Sequence, residues 1–252
     1  MYILTQLGFI VLTLLCLWAI LRQLHQALSK ADWSETKKQR LWIRTLMGLG
    51  AWLLFISVAS LSGFFSDFSS FPPRVVTVIT IPFITILLII FSRSINAILK
   101  VIPPQNLLYI QAFRVIVEVL LWMLFLQELL PEQMTFEGRN WDILVGLTAP
   151  LMAYFGLVRE NWSRSLIIVW NVLGLMLLAN IVTIAILSMP TPFRVFTNEP
   201  SNTIVATFPF VWLPGVLVPI AYSIHFFSLK QLLLSQPTAP EEKPAQEVVE
   251  NE

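Results

Sequence analysis

Gln111, Arg114 and Glu118 combine residue types and a spacing that could do chemistry within an otherwise apolar segment. Positions i, i+3 and i+7 of a helix lie on one face, so these side chains share a face. An isolated charge at the centre of a membrane helix costs about 2.5–3.5 kcal/mol, and pairing between Arg114 and Glu118 reduces that cost. Arg114 could hold a carboxylate or phosphate with Glu118 as its counter-ion, or the pair could move protons. The alternative is a buried ion pair that fixes helix packing, with Gln111 in an interhelical hydrogen bond.

Polar residues elsewhere in the apolar segments are predicted to converge on the same region. Asn171 and His225 fall at the depth of the guanidinium, in the inner halves of their helices. Asn140, Asp142 and Asn180 fall toward the outer side. A lone membrane histidine is more often a hydrogen-bonded packing residue than a metal ligand or proton relay. The sequence has no histidine pair with ligand spacing and a single cysteine, so we expect no metal and no cofactor.

The connecting segment 131–142, PEQMTFEGRNWD, is acidic and also contains large apolar residues. A simple connector would not need Met134, Phe136 and Trp141. We expect this segment to fold back onto the bundle as a lid, or to dip its apolar side chains into the membrane interface.

Three prolines interrupt the apolar segments near these polar residues. Pro150, Pro214 and Pro219 each remove a backbone donor and free a carbonyl group one turn earlier. In lipid such carbonyl groups must be satisfied by protein or water, so broken helices often line cavities. The two interpretations are a cavity in the bundle core and a simple kink.

The elements that must position these residues are unbroken apolar blocks. Charged residues make up 12% of the sequence, about half the fraction in soluble domains. The blocks predict an all-α, polytopic membrane protein. No basic residue precedes the first block, so we expect it to be a retained helix rather than a signal peptide. A seven-transmembrane-helix bundle at 1–232 is predicted, followed by a disordered cytoplasmic tail at 233–252. The seven helices are predicted at 4–21, 41–65, 75–99, 107–130, 143–158, 166–188 and 204–227.

The distribution of basic residues predicts the orientation of the bundle. With the N-terminus outside and the C-terminus cytoplasmic, twelve basic residues face the cytoplasm and three face outside. The cytoplasmic set is Arg22, Lys30, Lys37, Lys38, Arg40, Arg44, Arg93, Lys100, Arg159, Arg164, Lys230 and Lys243. The outer set is Arg74, Arg139 and Arg194, and only Arg114 lies within the membrane.

The segment MTFEGRNWDILVGLTAP (134–150), preceded by QAFRVIVE (111–118), resembles a family of uncharacterised bacterial integral membrane proteins. WNVLGLMLLANIV, MPTPF, FPFVWLPGVLVP and the late histidine are similar to that family as well. The similarity covers about 103–232, and the first three helices match only in hydropathy. The family has no known activity to carry over. The resemblance implies that Arg114, Glu118, Asn140, Asp142 and His225 belong to one site.

These observations predict a multi-pass protein of the bacterial cytoplasmic (inner) membrane. Its expected function is binding or transport of a small molecule, an organic anion or a lipid, through a polar site in the bundle core. The alternatives are an intramembrane enzyme acting on a lipid or isoprenoid substrate and a non-catalytic membrane subunit or sensor. Membrane lipids are expected partners, a homo-oligomer is compatible with the sequence, and near-zero net charge does not imply nucleic acid.

Overall fold

The computed structural model describes residues 1–70 and 72–234, and these residues form helices, turns and loops without any strand. The all-α prediction is therefore confirmed, whereas most of the predicted disordered tail, from 235 onward, lies outside the described residues. The helices are α1 (Tyr2–Lys30), α2 (Glu35–Leu61), α3 (Val76–Ile90), α4 (Arg93–Val101), α5 (Pro104–Ile110), α6 (Phe113–Phe125), α7 (Ile143–Leu151), α8 (Arg164–Leu187) and α9 (Val218–Leu234). Two π-helical segments, Met152–Val158 and Leu213–Leu217, continue α7 and precede α9.

Five helical segments of the described chain are long and apolar enough to cross a membrane. They are Tyr2–Lys30, Glu35–Leu61, Pro104–Phe125, Arg164–Leu187 and Leu213–Leu234. If the bent pair α3–α4 forms a single broken span, it is the sixth candidate. The segment Ile143–Val158 is also apolar but is shorter than these spans. The described chain thus has five to six candidate spans by length and composition.

Several predicted helices differ from those in the structure. The helix predicted at 4–21 continues to Lys30, and the helix predicted at 107–130 begins at Pro104, is interrupted by a turn at 111–112 and ends at Phe125. The helix predicted at 75–99 bends by 81° between α3 and α4. The bend follows from local capping, because the Ser92 side chain accepts a hydrogen bond from the Ser94 N–H at 3.2 Å and starts a new helix. The helix predicted at 204–227 begins later, at Leu213, with Pro214 in its first turn, where a missing N–H costs little.

The core of the bundle is built around α9 and α6. Helix α9 packs against α3, α5 and α8, while α6 packs against α1 and α7. Helix α2 lies at the periphery, with only Ile56, Ala59 and Ser60 buried.

Side-chain contacts gather the loops at two opposite ends of the bundle. At one end, Gln133 donates to the Ser188 hydroxyl at 2.8 Å and accepts from Asn198 at 2.6 Å, joining the loops 126–142 and 188–212. At the other end, Lys230 donates to the Ile90 carbonyl, and Gln231 donates to the carbonyl groups that end α4. The end of α9 therefore caps the α3–α4 corner.

Candidate functional site

Arg114 lies in the first turns of α6 and is almost completely buried, with 1% of its surface exposed. Its Nε donates to Asp142 Oδ2 at 2.6 Å, and its Nη2 donates to Asp142 Oδ1. Two parallel hydrogen bonds between a guanidinium and a carboxylate are a strong, orientation-specific pair. Arg114 is therefore neutralised by a residue 28 positions later in the chain.

This pairing corrects two predictions. The ion-pair partner of Arg114 is Asp142 rather than Glu118, and Asp142 lies beside Arg114 in the buried core rather than apart from it, toward the outer side. The reason is that α7 begins within the bundle, so the residue before Ile143 reaches the guanidinium. Gly146 permits this approach, because a Cβ atom there would lie 2.8 Å from the Val115 backbone nitrogen and 3.2 Å from Arg114 Cβ.

His225 on α9 takes the third contact of the guanidinium. Arg114 Nη1 lies 2.8 Å from His225 Nε2, and because Nη1 can only donate, Nε2 must be the acceptor. His225 Nδ1 then carries the proton and donates to Asn171 Oδ1 at 3.0 Å. The Asn171 amide agrees with this tautomer, since its Nδ2 donates to the Ile167 carbonyl at 2.9 Å and to Ser228 Oγ at 3.1 Å. His225 is thus neutral and fixed at both ring nitrogens.

Glu118, one turn after Arg114, accepts hydrogen bonds from a residue of the connecting loop. Asn140 Nδ2 lies 2.7 Å from both carboxyl oxygens of Glu118, and it also donates to the Met134 carbonyl at 3.1 Å. Asn140 Oδ1 accepts from the Asp142 N–H at 3.2 Å. A single asparagine therefore joins the two carboxyl-bearing parts of the site.

The contacts form one continuous hydrogen-bonded set, which we call the polar chain. It consists of Glu118, Asn140, Asp142, Arg114, His225, Asn171 and Ser228, all of which are buried. Ser228 is not among the site residues predicted from the sequence, although its position three residues after His225 places it on the same helix face.

Two further predicted residues lie outside the polar chain. Gln111 is fully buried and donates to the Ala221 carbonyl at 3.2 Å, and its Oε1 has no hydrogen-bond partner. Asn180 is exposed and donates to the Arg139 carbonyl at 3.0 Å. Asn180 therefore anchors the connecting loop from outside the core.

The connecting loop folds back onto the bundle, as one of the two interpretations predicts. Met134 is 2% exposed and belongs to the main core. Phe136 packs against Trp122 of α6, with 6.0 Å between the ring centres, whereas Trp141 points away from the core and is 60% exposed. The loop thus inserts Met134, Asn140 and Asp142 into the core while leaving Trp141 outside.

A glycine of α8 makes room for the imidazole. A Cβ atom on Gly174 would lie 2.3 Å from His225 Cε1 and 2.5 Å from its Nε2, so only glycine fits without a shift. Trp170 of the same helix covers the imidazole, with 5.4 Å between the ring centres.

The polar chain holds one guanidinium, two carboxyl groups and a neutral imidazole, shielded from solvent. This composition suits recognition of an anionic group or exchange of a proton. Within residues 1–70 and 72–234, no three His, Cys, Asp or Glu side chains are placed to hold a metal ion. The two described clefts, one between α1 and α2 and one beside Pro103, do not include any residue of the polar chain.

Comparison with known proteins gives one family and no named relative. The family described as a domain of unknown function, DUF8737, matches residues 72–233, which is more than half of the chain. No curated protein and no solved structure matches the sequence. Every residue of the polar chain lies within the matched segment, from Arg114 on α6 to Ser228 on α9. The chain therefore belongs to the DUF8737 family.

Proposed function

We propose that this protein is a multi-pass protein of the bacterial cytoplasmic membrane that binds and transports a small organic anion through the polar chain. The carboxylate or phosphate group that it recognises could belong to a soluble anion or to a lipid headgroup. The observation that carries the proposal is that both ionisable side chains of α6 are held by Asn140 and Asp142, two positions apart in one loop.

Seven membrane crossings with the N-terminus outside are part of this proposal. In this proposal the five long apolar helices and the bent pair α3–α4 would make six crossings, and the shorter apolar segment Ile143–Val158 would make the seventh. The end of the bundle that carries the α3–α4 corner has most of the basic residues and would face the cytoplasm. The loops 126–142 and 188–212 would then face outside.

The geometry of the loop suggests how an anion could enter. A displacement of residues 140–142 would free the Arg114 guanidinium and the Glu118 carboxyl group together. The guanidinium could then bind an incoming carboxylate or phosphate through the two parallel hydrogen bonds that Asp142 now accepts. The π-helix that follows Pro150 is a natural hinge for this movement of α7, because its backbone ladder is already interrupted.

Two neighbouring groups complete the proposed site. Glu118 would exchange a proton when Asn140 leaves it, which couples anion entry to proton movement. Gln111 Oε1, a buried acceptor without a partner in the turn just before α6, would accept a hydrogen bond from a hydroxyl group of the solute.

The proposal is tested with full-length protein by thermal-shift binding and by uptake into proteoliposomes. The probes are citrate and sn-glycerol 3-phosphate as soluble anions, and phosphatidic acid as a lipid with the same anionic group. Asp142→Asn should bind the recognised anion more tightly than the wild type, because Arg114 loses its internal competitor, and Arg114→Gln should abolish binding. Asp67→Asn is the matched control, since Asp67 pairs with Arg74 at an exposed site at 3.4 Å. Absence of binding to both the wild type and Asp142→Asn would refute the proposal.

A further inference from the structure

A long apolar cleft separates α1 from α2, away from the polar chain. Its volume is about 680 Å³, within the range of ligand-binding sites in proteins. Leucines from both helices, such as Leu14, Leu17 and Leu53, form its walls. Gly50 of α2 also lines the cleft, and because it has no side chain the space beside it is unfilled. Since α2 buries only three residues, this space is open along one side of the bundle.

The lining of the cleft becomes polar toward the end where α1 is connected to α2. Arg22, His25 and Gln26 line it there, beside Trp18 and Trp42. The Arg22 guanidinium lies over the Trp18 ring at 5.3 Å, and His25 packs edge-on against Trp42 at 5.2 Å. Tryptophan side chains and a cation at the end of an apolar groove are typical of a membrane interface.

Charge around this end is strongly positive. The segment from Arg22 to Arg44 contains six lysines and arginines but only two acidic residues, Asp32 and Glu35. Among the described residues, Lys38 alone of these six forms an ion pair, with Glu35 at 2.9 Å. An anionic group at the mouth of the cleft would therefore meet uncompensated positive charge.

We propose that the cleft binds one anionic phospholipid, with its phosphate beside Arg22 and an acyl chain between the leucines of α1 and α2. The dimensions fit one leaflet. The part of α1 that lines the cleft between Leu14 and the phosphate position at Arg22 is ~12 Å long, within the ~15 Å half-thickness of a bilayer core. Arg22 lies ~30 Å along α1 from Tyr2, which is the depth at which a helix leaves the hydrocarbon.

Native mass spectrometry of the full-length protein in detergent tests this site directly. Dioleoyl phosphatidylglycerol and dioleoyl phosphatidylcholine are titrated separately. The wild type should retain one phosphatidylglycerol and bind it at least several-fold more tightly than phosphatidylcholine. Gly50→Leu should fill the cleft and weaken phosphatidylglycerol binding about tenfold. Gly48→Leu is its matched control, because neither glycine has an atom within 4 Å of a new Cβ and Gly48 does not line the cleft.

A second pair of variants separates the headgroup from the acyl chain. Arg22→Gln should remove the preference for phosphatidylglycerol and leave phosphatidylcholine binding unchanged. Arg44→Gln makes the same change of charge outside the cleft lining and should retain the preference. Equal binding of the two lipids by the wild type, or equal loss in Gly50→Leu and Gly48→Leu, would overturn the proposal. A lipid-free dimer that Gly50→Leu dissociates would overturn it as well, because a second copy would then occupy the cleft.

Discussion

Arg114 pairs with Asp142, 28 residues later in the chain, and not with the carboxyl group one turn away on its own helix. This relationship couples α6 to the start of α7 through two parallel hydrogen bonds. The Glu118 carboxyl group instead accepts a hydrogen bond from the Asn140 amide, so each ionisable group of α6 is bound by a loop residue.

Removal of one partner from the Arg114–Asp142 pair should be costly. Arg114→Met leaves a buried carboxylate without a cation, and we expect the free energy of unfolding to fall by about 3–5 kcal/mol. The double variant Arg114→Met, Asp142→Leu should lose less than the sum of the two single variants, by about 0.5–3 kcal/mol. Chemical unfolding in detergent gives the free energy of unfolding of the wild type, the single variants Arg114→Met and Asp142→Leu, and the double variant. Additive losses would show that the pair contributes no coupling.

Glu118 and Asn140 should respond differently to substitution. Glu118→Gln keeps an oxygen that accepts from Asn140, so we expect a change below about 1 kcal/mol. Asn140→Leu leaves the Glu118 carboxyl group buried without its donor and should cost about 1–3 kcal/mol. The midpoint of thermal unfolding distinguishes the two variants. Equal destabilisation would contradict the arrangement described for Asn140.

Gly174→Ala should displace the imidazole from Arg114. The new Cβ atom would clash with His225 Cε1 at 2.3 Å, and overpacking of this kind costs about 1–3 kcal/mol. Gly48→Ala is the control, because its Cβ atom would meet nothing within 4 Å, and it should leave stability unchanged or slightly higher. Thermal unfolding of the two variants in the same detergent provides the comparison. A tolerated Gly174→Ala would show that His225 can move freely.

Glu199 in the loop 188–212 should titrate at low pH. Arg194 donates to its carboxylate at 2.9 Å and the Ser201 N–H donates at 2.7 Å, so the pKa of Glu199 lies below its ordinary value of 4.5. A pKa that is lower in the folded state stabilises the loop above pH 4.5, and this contribution is lost as the pH falls through the lowered pKa. Arg194→Gln should raise the pKa toward 4.5, which NMR titration of the Glu199 carboxyl carbon measures. An unchanged titration in Arg194→Gln would assign the shift to the backbone donor alone.

Periodicity predicts relationships within one helix but not between helices. The spacing of Gln111, Arg114 and Glu118 predicts their shared burial, and the structure buries all three. Spacing cannot predict that Asp142 pairs with the Arg114 guanidinium, because this contact depends on where in the bundle the first residue of α7 lies. The same limitation explains Ser228, whose role follows from the distance between α8 and α9.

Hydropathy locates helices better than it locates their breaks. Apolar blocks predict α1, α2 and α8 within several residues at most ends, but the 81° bend after Ile90 lies inside one block. Serine capping at Ser92 decides that bend, and its effect is local and independent of average hydropathy. The inserted loop is similar, since Met134 and Trp141 are both apolar while only Met134 is buried.

The dependence of α6 on loop residues also has a consequence for biosynthesis. In the proposed membrane topology, Arg114 and Glu118 leave the ribosome before Asn140 and Asp142, so α6 alone presents two charges to the translocon without the loop residues that hold them in the folded protein. Each charge opposes insertion of a single helix by about 2.5–3.5 kcal/mol, whereas a hairpin of α6 and α7 brings the missing partners with it. We therefore expect α6 and α7 to enter the bilayer as a pair. A nascent chain arrested at Leu130 should insert α6 less efficiently than one extended to Val158.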